Sequence, residues 1–315
     1  MMKHEQNSRF VLCETSRGTL GVEVVAQDIL RVFLGRETQN YFSKAVEADR
    51  HEDCAFTVTE EGDTLVIATP VLRLAVDAAG HTDFYTAAGK PLSLAWRGAR
   101  GVIDRGLHDK DLLEKEGHKD AGSAAGLPVE ELRALLPDDA VYGLGDKPTV
   151  LNKRSYAYEN WNSDIPDPHE ECFKSLYKDF PVFFVSSAAA ERTYGIFFDN
   201  TFHTYFDFGL ESPDYLSFGA KEGALNYYFF AGPTLREAVS RYTWLTGRAP
   251  LPQRWALGYQ QCRWGYASAE EFRALARKFQ ELDIPLDALH FDIDYMDGYR
   301  VFTTNDKTFP DCWPS

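Results

Sequence analysis

The sequence predicts an antiparallel β-sandwich followed by one β-α-β unit of a parallel, helix-covered sheet. Three observations carry that reading. Short β-rich runs broken by turn signals recur from residue 10 to about 100, and again from 141 to 231. A Gly- and Pro-rich break, TGRAPLPQR, follows at 246–254. Beyond it, two apolar runs flank a helix that has its own start signal.

The first half supports the sandwich element by element. VLCETSRGTLGVEVVAQDILRVFL holds two β-rich runs with polar breaks. The next stretch, FTVTEEGDTLVIATPVLRLAVDAAGHTDFYTAAGKPL, repeats the pattern, with turns at Glu61-Gly62-Asp63 and Ala79-Gly80. Such spacing with few helical signals suits stacked antiparallel sheets. Residues 104–128 are polar, charged and Gly-rich and predict an exposed loop or insertion. VYGLGDK, LYKDFPVFFVSS, TYGIFFDN, TYFDFG and LNYYFFAG then read as strands, several buried on both faces. Between them, Tyr156 to Phe173 is too broken by proline and charge for a strand. Its aromatic content predicts a structured loop with a functional part.

Two helices follow. Thr234 and Glu237 form a capping box ahead of Leu235, Val239, Tyr242 and Leu245 at helical spacing. After the break, WALGYQQCR reads as a strand. Ser268 and Glu271 cap a helix whose apolar face is Phe272, Leu275, Ala276, Phe279 and Leu282. LDALHFDID is the next strand, and a crossover of this kind implies parallel pairing.

Composition narrows the function. At 315 residues the chain can hold two domains, and its 22 Phe, 16 Tyr and 6 Trp require packed cores. A net charge of −15 argues against nucleic acid and anionic membrane partners. The five cysteines show no C-x-x-C spacing and cannot all pair, so neither a zinc site nor a full disulfide framework is expected. The N-terminal residues have no apolar core of a signal peptide, and no run of 18 apolar residues occurs. A soluble cytoplasmic protein with reduced thiols is the expectation.

The chemistry concentrates in Leu286 to Arg300, LDALHFDIDYMDGYR. Side chains alternate along a strand, so Leu289, Phe291 and Ile293 share one face and His290, Asp292 and Asp294 the other. Carboxylates beside Tyr295 and Tyr299 suit a sugar: carboxylates accept from hydroxyls and rings face C–H surfaces. The strand's C-terminal end is also where α/β barrels place their sites. Two other assignments compete. One is a strand-end pair that accepts backbone N–H groups or bonds Arg263 or Arg300. The other is a metal-binding D-x-D pair of a glycosyltransferase.

LTGRAPLPQRWALGYQQCRWGY, then IPLDALHFDIDYMDGYRVFT and FPD, together resemble glycoside hydrolase family 31, the α-glucosidase and α-xylosidase family. The resemblance extends upstream through VYGLGDK, NSD at 162–164, SLYKDFPVFF and YGIFFDN. It covers most of residues 140–315 and is weaker over the sandwich before them. DIDYMDGY is similar to the α-glucosidase branch; the α-xylosidase branch usually has a bulky aromatic shortly after the first aspartate.

The resemblance implies a galactose mutarotase-like supersandwich over 1–246. It implies the first part of a catalytic (α/β)8 TIM barrel over 247–315, truncated after about two strands. It further implies a retaining hydrolase of terminal α-linked glucose, acting on α-glucosides or malto- and isomalto-oligosaccharides. Two carboxyl groups about 5–5.5 Å apart would do the chemistry, with no metal or organic cofactor. Asp292 matches the aspartate that binds hydroxyls of the −1 sugar, with Ile293 beside it. Asp164 matches a loop aspartate that reaches the +1 sugar; its competing assignment is a turn-forming Asp before Ile-Pro. Asp294, Trp264 and Arg263 complete the candidate residues.

A departure limits the reading. The family's nucleophile lies in a W-x-D-M-N-E-like motif on a later barrel strand, and no such motif occurs in these residues. A full barrel takes about 250 residues. The nucleophile and the acid/base are therefore expected beyond Ser315, so the chain alone is expected to be inactive. A second chain completing the barrel is the expected partner, from a split or truncated gene. The rival from another class is a non-catalytic, mutarotase-like sandwich that binds carbohydrate.

Overall fold

A computed structural model describes residues 2–100, 127–148, 150–165, 168–170, 173 and 175–310. The expected exposed loop at 104–128 lies almost wholly outside them, as do Cys172 and Cys312. The chain divides into two units, Met1–Arg248 and Ala249–Ser315.

The first unit is a sandwich of two antiparallel layers. One layer is an eight-stranded sheet. It takes β1 (His4–Gln6), β2 (Phe10–Thr15), β3 (Gly18–Ala26), β4 (Ile29–Leu34), β11 (Ala140–Gly145), β13 (Asp179–Ser187), β14 (Arg192–Phe198) and β17 (Asn226–Ala231). Their spatial order is β1-β2-β3-β4-β17-β14-β13-β11. The opposite layer begins with a five-stranded meander: β5 (Thr57–Glu61), β6 (Thr64–Ala68), β7 (Leu72–Asp77), β8 (Thr82–Thr86) and β9 (Pro91–Ser93). A four-stranded sheet continues it, with β10 (Val129–Ala134), β12 (Ala157–Asn160), β15 (Thr204–Asp207) and β16 (Tyr215–Ala220) in the order β10-β16-β15-β12. The two small sheets meet edge to edge at an Ala95–Arg133 bridge. Ala134 N–H donates to the Leu94 carbonyl at 2.8 Å there.

Alternation explains why the central strands are apolar on both faces. Tyr227, Phe229 and Ala231 of β17, Tyr194, Ile196 and Phe198 of β14, and Phe183 and Val185 of β13 fill the space between the layers. The intervening Tyr228, Phe230, Phe197, Val182 and Phe184 point the other way, into a second core. Helix α1 (Leu235–Thr246) covers that outer face with Leu235, Ala238, Tyr242 and Leu245. Thr234 caps it, accepting from the Glu237 N–H at 3.3 Å. Gly195 is required by close approach: a Cβ there would meet the Phe184 ring at 2.7 Å.

The expected loop at 156–173 opens instead with a strand, and residues 161–165 beyond it have no regular structure. Ala157–Asn160 form edge strand β12, with Tyr158 opposite Phe206 and packed near Phe208. Burial of Tyr158 in the main core outweighs the local polar character.

The second unit is a β-α-β unit with a parallel strand pair. Helix α2 (Ala269–Glu281) connects β18 (Gln260–Gln261) to β19 (Ala288–Leu289), and the two strands pair in parallel. Both strands are shorter than expected, and Arg254–Leu257 forms a 3-10 turn instead of extending β18. Among the described residues each strand pairs with the other alone, over a ladder two residues long. Ser268 caps α2 by accepting from the Glu271 N–H at 3.3 Å. Phe272 of the helix packs with Phe309, Leu289 and Tyr295 in a small core.

The seam of the second layer is polar and sealed. Arg133 is fully buried. Its guanidinium donates to Ser93 Oγ at 3.0 Å, to the Ser93 carbonyl at 2.6 Å, to Thr82 Oγ1 at 2.9 Å and to Glu131 Oε1 at 3.2 Å. Arg17 holds the other Glu131 oxygen at 2.8 Å. Thr82 and the Tyr227 hydroxyl, 3.0 Å apart, extend the network to the first layer. A buried charge removed from such a set leaves its partners unpaired. Arg133→Met should lower stability by about 3–5 kcal/mol. Urea unfolding of the purified chain should show a lower midpoint at unchanged slope.

Candidate functional site

The parallel pairing of β18 with β19 decides which side chains meet in the second unit. Gln260 is registered with Ala288 and Gln261 with Leu289, and the His290 N–H donates to the Gln261 carbonyl at 2.9 Å. Cys262 follows Gln261 directly and Asp292 lies three residues past Leu289, so both sit beyond the C-terminal ends of the strands. Cys262 Sγ lies 3.7 Å from Asp292 Oδ2. Desolvation and then the Asp292 charge raise the thiol above the usual cysteine range.

The expected two faces are partly present. Phe291 stacks edge-on against Phe272 at 4.4 Å, as the apolar face requires. Ile293 does not join the small core and is exposed. Its position follows the end of β19, where the backbone has left the sheet and strict alternation no longer applies. On the polar face, His290 Nε2 is 2.7 Å from Gln260 Oε1. Asp294 accepts from the Tyr299 hydroxyl at 3.0 Å, and this bond raises the phenol.

Neither arginine of the competing structural assignment reaches the aspartates among the described contacts. Arg263 Nε donates to the Trp264 carbonyl at 3.2 Å, and its guanidinium lies over the Tyr266 ring. Arg300 pairs with Asp297. Asp292 therefore has no cation beside it among the described residues. Those residues contain no group of three or more His, Cys, Asp or Glu side chains able to hold a metal. Trp264, two residues past the Cys262 thiol, is 67% exposed.

Asp164 belongs to the sandwich unit, in the loop that follows β12. Two straps hold that loop. The Ser163 N–H donates to the Leu176 carbonyl at 2.9 Å, and Asn162 Nδ2 donates to the Tyr177 carbonyl at 3.1 Å. Tyr177 contacts the Asp164 carboxylate, which raises its phenol, and donates to the Ile165 carbonyl at 2.8 Å. Sequence reasoning missed Cys262, Tyr177 and Tyr299 as partners of the three aspartates. The sequence places Tyr299 beside the aspartates only as a sugar-facing ring, and Cys262 and Tyr177 come from segments whose approach no local signal reports.

With the geometry set out, comparison with known proteins is specific. Residues 19–207 match the Glycosyl hydrolase 31 N-terminal galactose mutarotase-like domain, and 249–314 match the Glycosyl hydrolases family 31 TIM-barrel domain. The chain belongs to glycoside hydrolase family 31. A curated family relative, Alpha-glucosidase 2 of Bacillus thermoamyloliquefaciens, is 47% identical over 200 residues, 63% of this chain and 25% of its own length. The chain thus spans about a quarter of that relative's length. A Flavobacterium johnsoniae family 31 dextranase, solved with isomaltotriose, superposes at TM-score 0.78 with 29% identity, over 98% of this chain and 36% of the dextranase. A glucosidase II alpha subunit shares the fold at TM-score 0.73 and 20% identity, over 98% of this chain and 40% of its own. Family membership displaces the metal-dependent glycosyltransferase considered for the D-x-D pair.

The Cys262–Asp292 contact can be tested without activity. Neutralising the carboxylate removes one cause of the raised thiol, so Asp292→Asn should increase the thiolate fraction. Alkylation of Cys262 by iodoacetamide near pH 8, followed by peptide mass spectrometry, should run faster in the variant than in the parent.

Proposed function

We propose that these residues are part of a retaining glycosidase that releases α-linked glucose from non-reducing ends, with malto- and isomalto-oligosaccharides as substrates. The carrying observation is Asp292: a carboxylate just beyond the C-terminal end of the second parallel strand, with no cation paired to it among the described residues. An ionised carboxylate so placed accepts strong charge-assisted bonds from hydroxyls. The name Alpha-glucosidase 2 on the Bacillus relative, and the isomaltotriose bound to the dextranase, support the substrate class.

In this reading Asp292, with Ile293 beside it, holds the sugar whose bond breaks, and Asp294 is kept in place by Tyr299. Trp264 and Arg263 border the same strand end. Asp164 contacts the leaving-group sugar. Retention takes two displacements. A carboxylate attacks the anomeric carbon as an acid protonates the departing oxygen; water then attacks with that acid acting as base. We assign both groups to barrel strands other than β18 and β19. Exposed Leu251, Leu257, Val301 and Phe302 mark apolar surface that such strands, or a second chain bearing them, would cover. A cytoplasmic setting with reduced thiols belongs to the same reading, since the five cysteines are odd in number and show no C-x-x-C spacing.

Two measurements test this. The 315-residue chain should release no p-nitrophenol from its α-glucoside. Robust turnover lost on Asp292→Ala would show that Asp292 itself does the chemistry. In an enzyme with a complete barrel, Asp292→Asn should cost about 2–4 kcal/mol in kcat/KM with folding unchanged. Asp164→Asn should slow maltose more than an aryl α-glucoside, because it acts on the leaving-group sugar. A kinetically silent Asp292→Asn would make Asp292 a structural residue.

A further inference from the structure

The sandwich unit carries an aromatic column that neither its core nor Asp164 uses. Glu159 of β12 is registered opposite Tyr205 of β15, and Asn160 opposite Thr204. Alternation then puts Glu159 and Trp161 on one face with Tyr205 and His203. The three rings stack in sequence. Tyr205 and His203 centroids are 4.6 Å apart at 17°, and His203 and Trp161 are 5.0 Å apart at 25°. The imidazole is held at both nitrogens: Glu159 Oε2 is 2.7 Å from Nε2, and the Tyr205 hydroxyl is 3.4 Å from Nδ1. Tyr205 is buried, with Lys221 Nζ 5.5 Å from its ring centroid. At the other end Trp161 remains 59% exposed although His203 covers one of its faces.

The backbone beneath the indole is equally fixed. The Trp161 N–H donates to Ser175 Oγ at 3.1 Å, and its carbonyl accepts from Ser175 Oγ at 2.6 Å and Ser163 Oγ at 2.7 Å. Ser175 Oγ also lies 2.6 Å from Asp179 Oδ2. An exposed tryptophan with rigid support loses little freedom when a ligand settles on it. The flat ligand that suits it has an apolar face and a hydroxyl rim. The net charge of −15 disfavours a nucleobase on a polyanion. Sugar C–H groups meet the negative face of an aromatic ring favourably.

We propose that the outward face of Trp161 is a stacking platform for a pyranose unit of a neutral gluco-oligosaccharide, held by the sandwich unit itself. The choice of an α-glucan rests on the proposed function; the platform itself does not depend on Asp292. Trp161 and Asp164 are three residues apart, within about 11 Å along the chain, so neighbouring units of one oligosaccharide can meet both.

Isothermal titration of the 315-residue chain with maltoheptaose and with cellohexaose tests it, using the parent, Trp161→Ala, Trp161→Phe and Asp164→Asn. The platform predicts that Trp161→Ala weakens maltoheptaose binding about tenfold, the upper range for one ring contact. Trp161→Phe should retain most of the affinity. Thermal midpoints close to the parent's show that both variants fold. No binding by the parent, or unchanged binding by a folded Trp161→Ala, overturns the proposal. Loss in Asp164→Asn but not in Trp161→Ala overturns it as well, and leaves the Asp164 assignment standing. Loss in Trp161→Ala alone upholds the platform without Asp164. Equal, Trp161-dependent binding of cellohexaose upholds the platform and overturns the α-glucan class.

Discussion

One buried guanidinium organises the sandwich unit. Arg133 lies where the five-stranded and four-stranded sheets join, and its bonds reach β8, β9 and β10 together. An unpaired charge at that depth would be prohibitive, so every donor must find its acceptor. That condition fixes the register at the seam. Register passes from β10 to β16, from β16 to β15, and from β15 to β12. The loop bearing Trp161 and Asp164 leaves the end of β12. Its position is therefore set by polar satisfaction some strands away, and the aromatic core supplies the bulk of the burial free energy.

The barrel unit follows a different rule. Two short parallel strands joined by a helix bring their C-terminal ends together, and with them Cys262 and Asp292. Parallel strands are normally buried on both faces. Here Phe291 packs on Phe272, and Ile293, Trp264 and Phe302 face solvent. The apolar residues suited to further strands and helices are thus present in the chain. The polar face already holds its aspartates away from Arg263 and Arg300.

Much of the fold was legible because periodicity and caps are local. Thr234 and Ser268 start helices where their spacing to Glu237 and Glu271 places them. The doubly apolar strands were visible as continuous runs, and α1 supplies the second cover they require. Strand lengths in the barrel unit were not legible. A ladder's extent depends on neighbours, and WALGYQQCR carries nothing that reports them. Ala157–Asn160 was misread for the converse reason: its pairing with β15 and the burial of Tyr158 come from residues almost fifty positions away.

The same division runs through the sites. By itself the sequence determined the class of chain: a sandwich, a Pro-marked boundary, a β-α-β unit and an aspartate motif that resembles family 31. These features depend on residue type and spacing over short distances. Tertiary structure alone decided which groups face those aspartates. Cys262 meets Asp292 past the ends of two parallel strands, Tyr177 holds Asp164 from across a loop, and His203, just ahead of β15, stacks on Trp161, just past β12. Contacts of that kind arise from strand pairing between distant segments, and strand pairing is settled by the whole packed sheet.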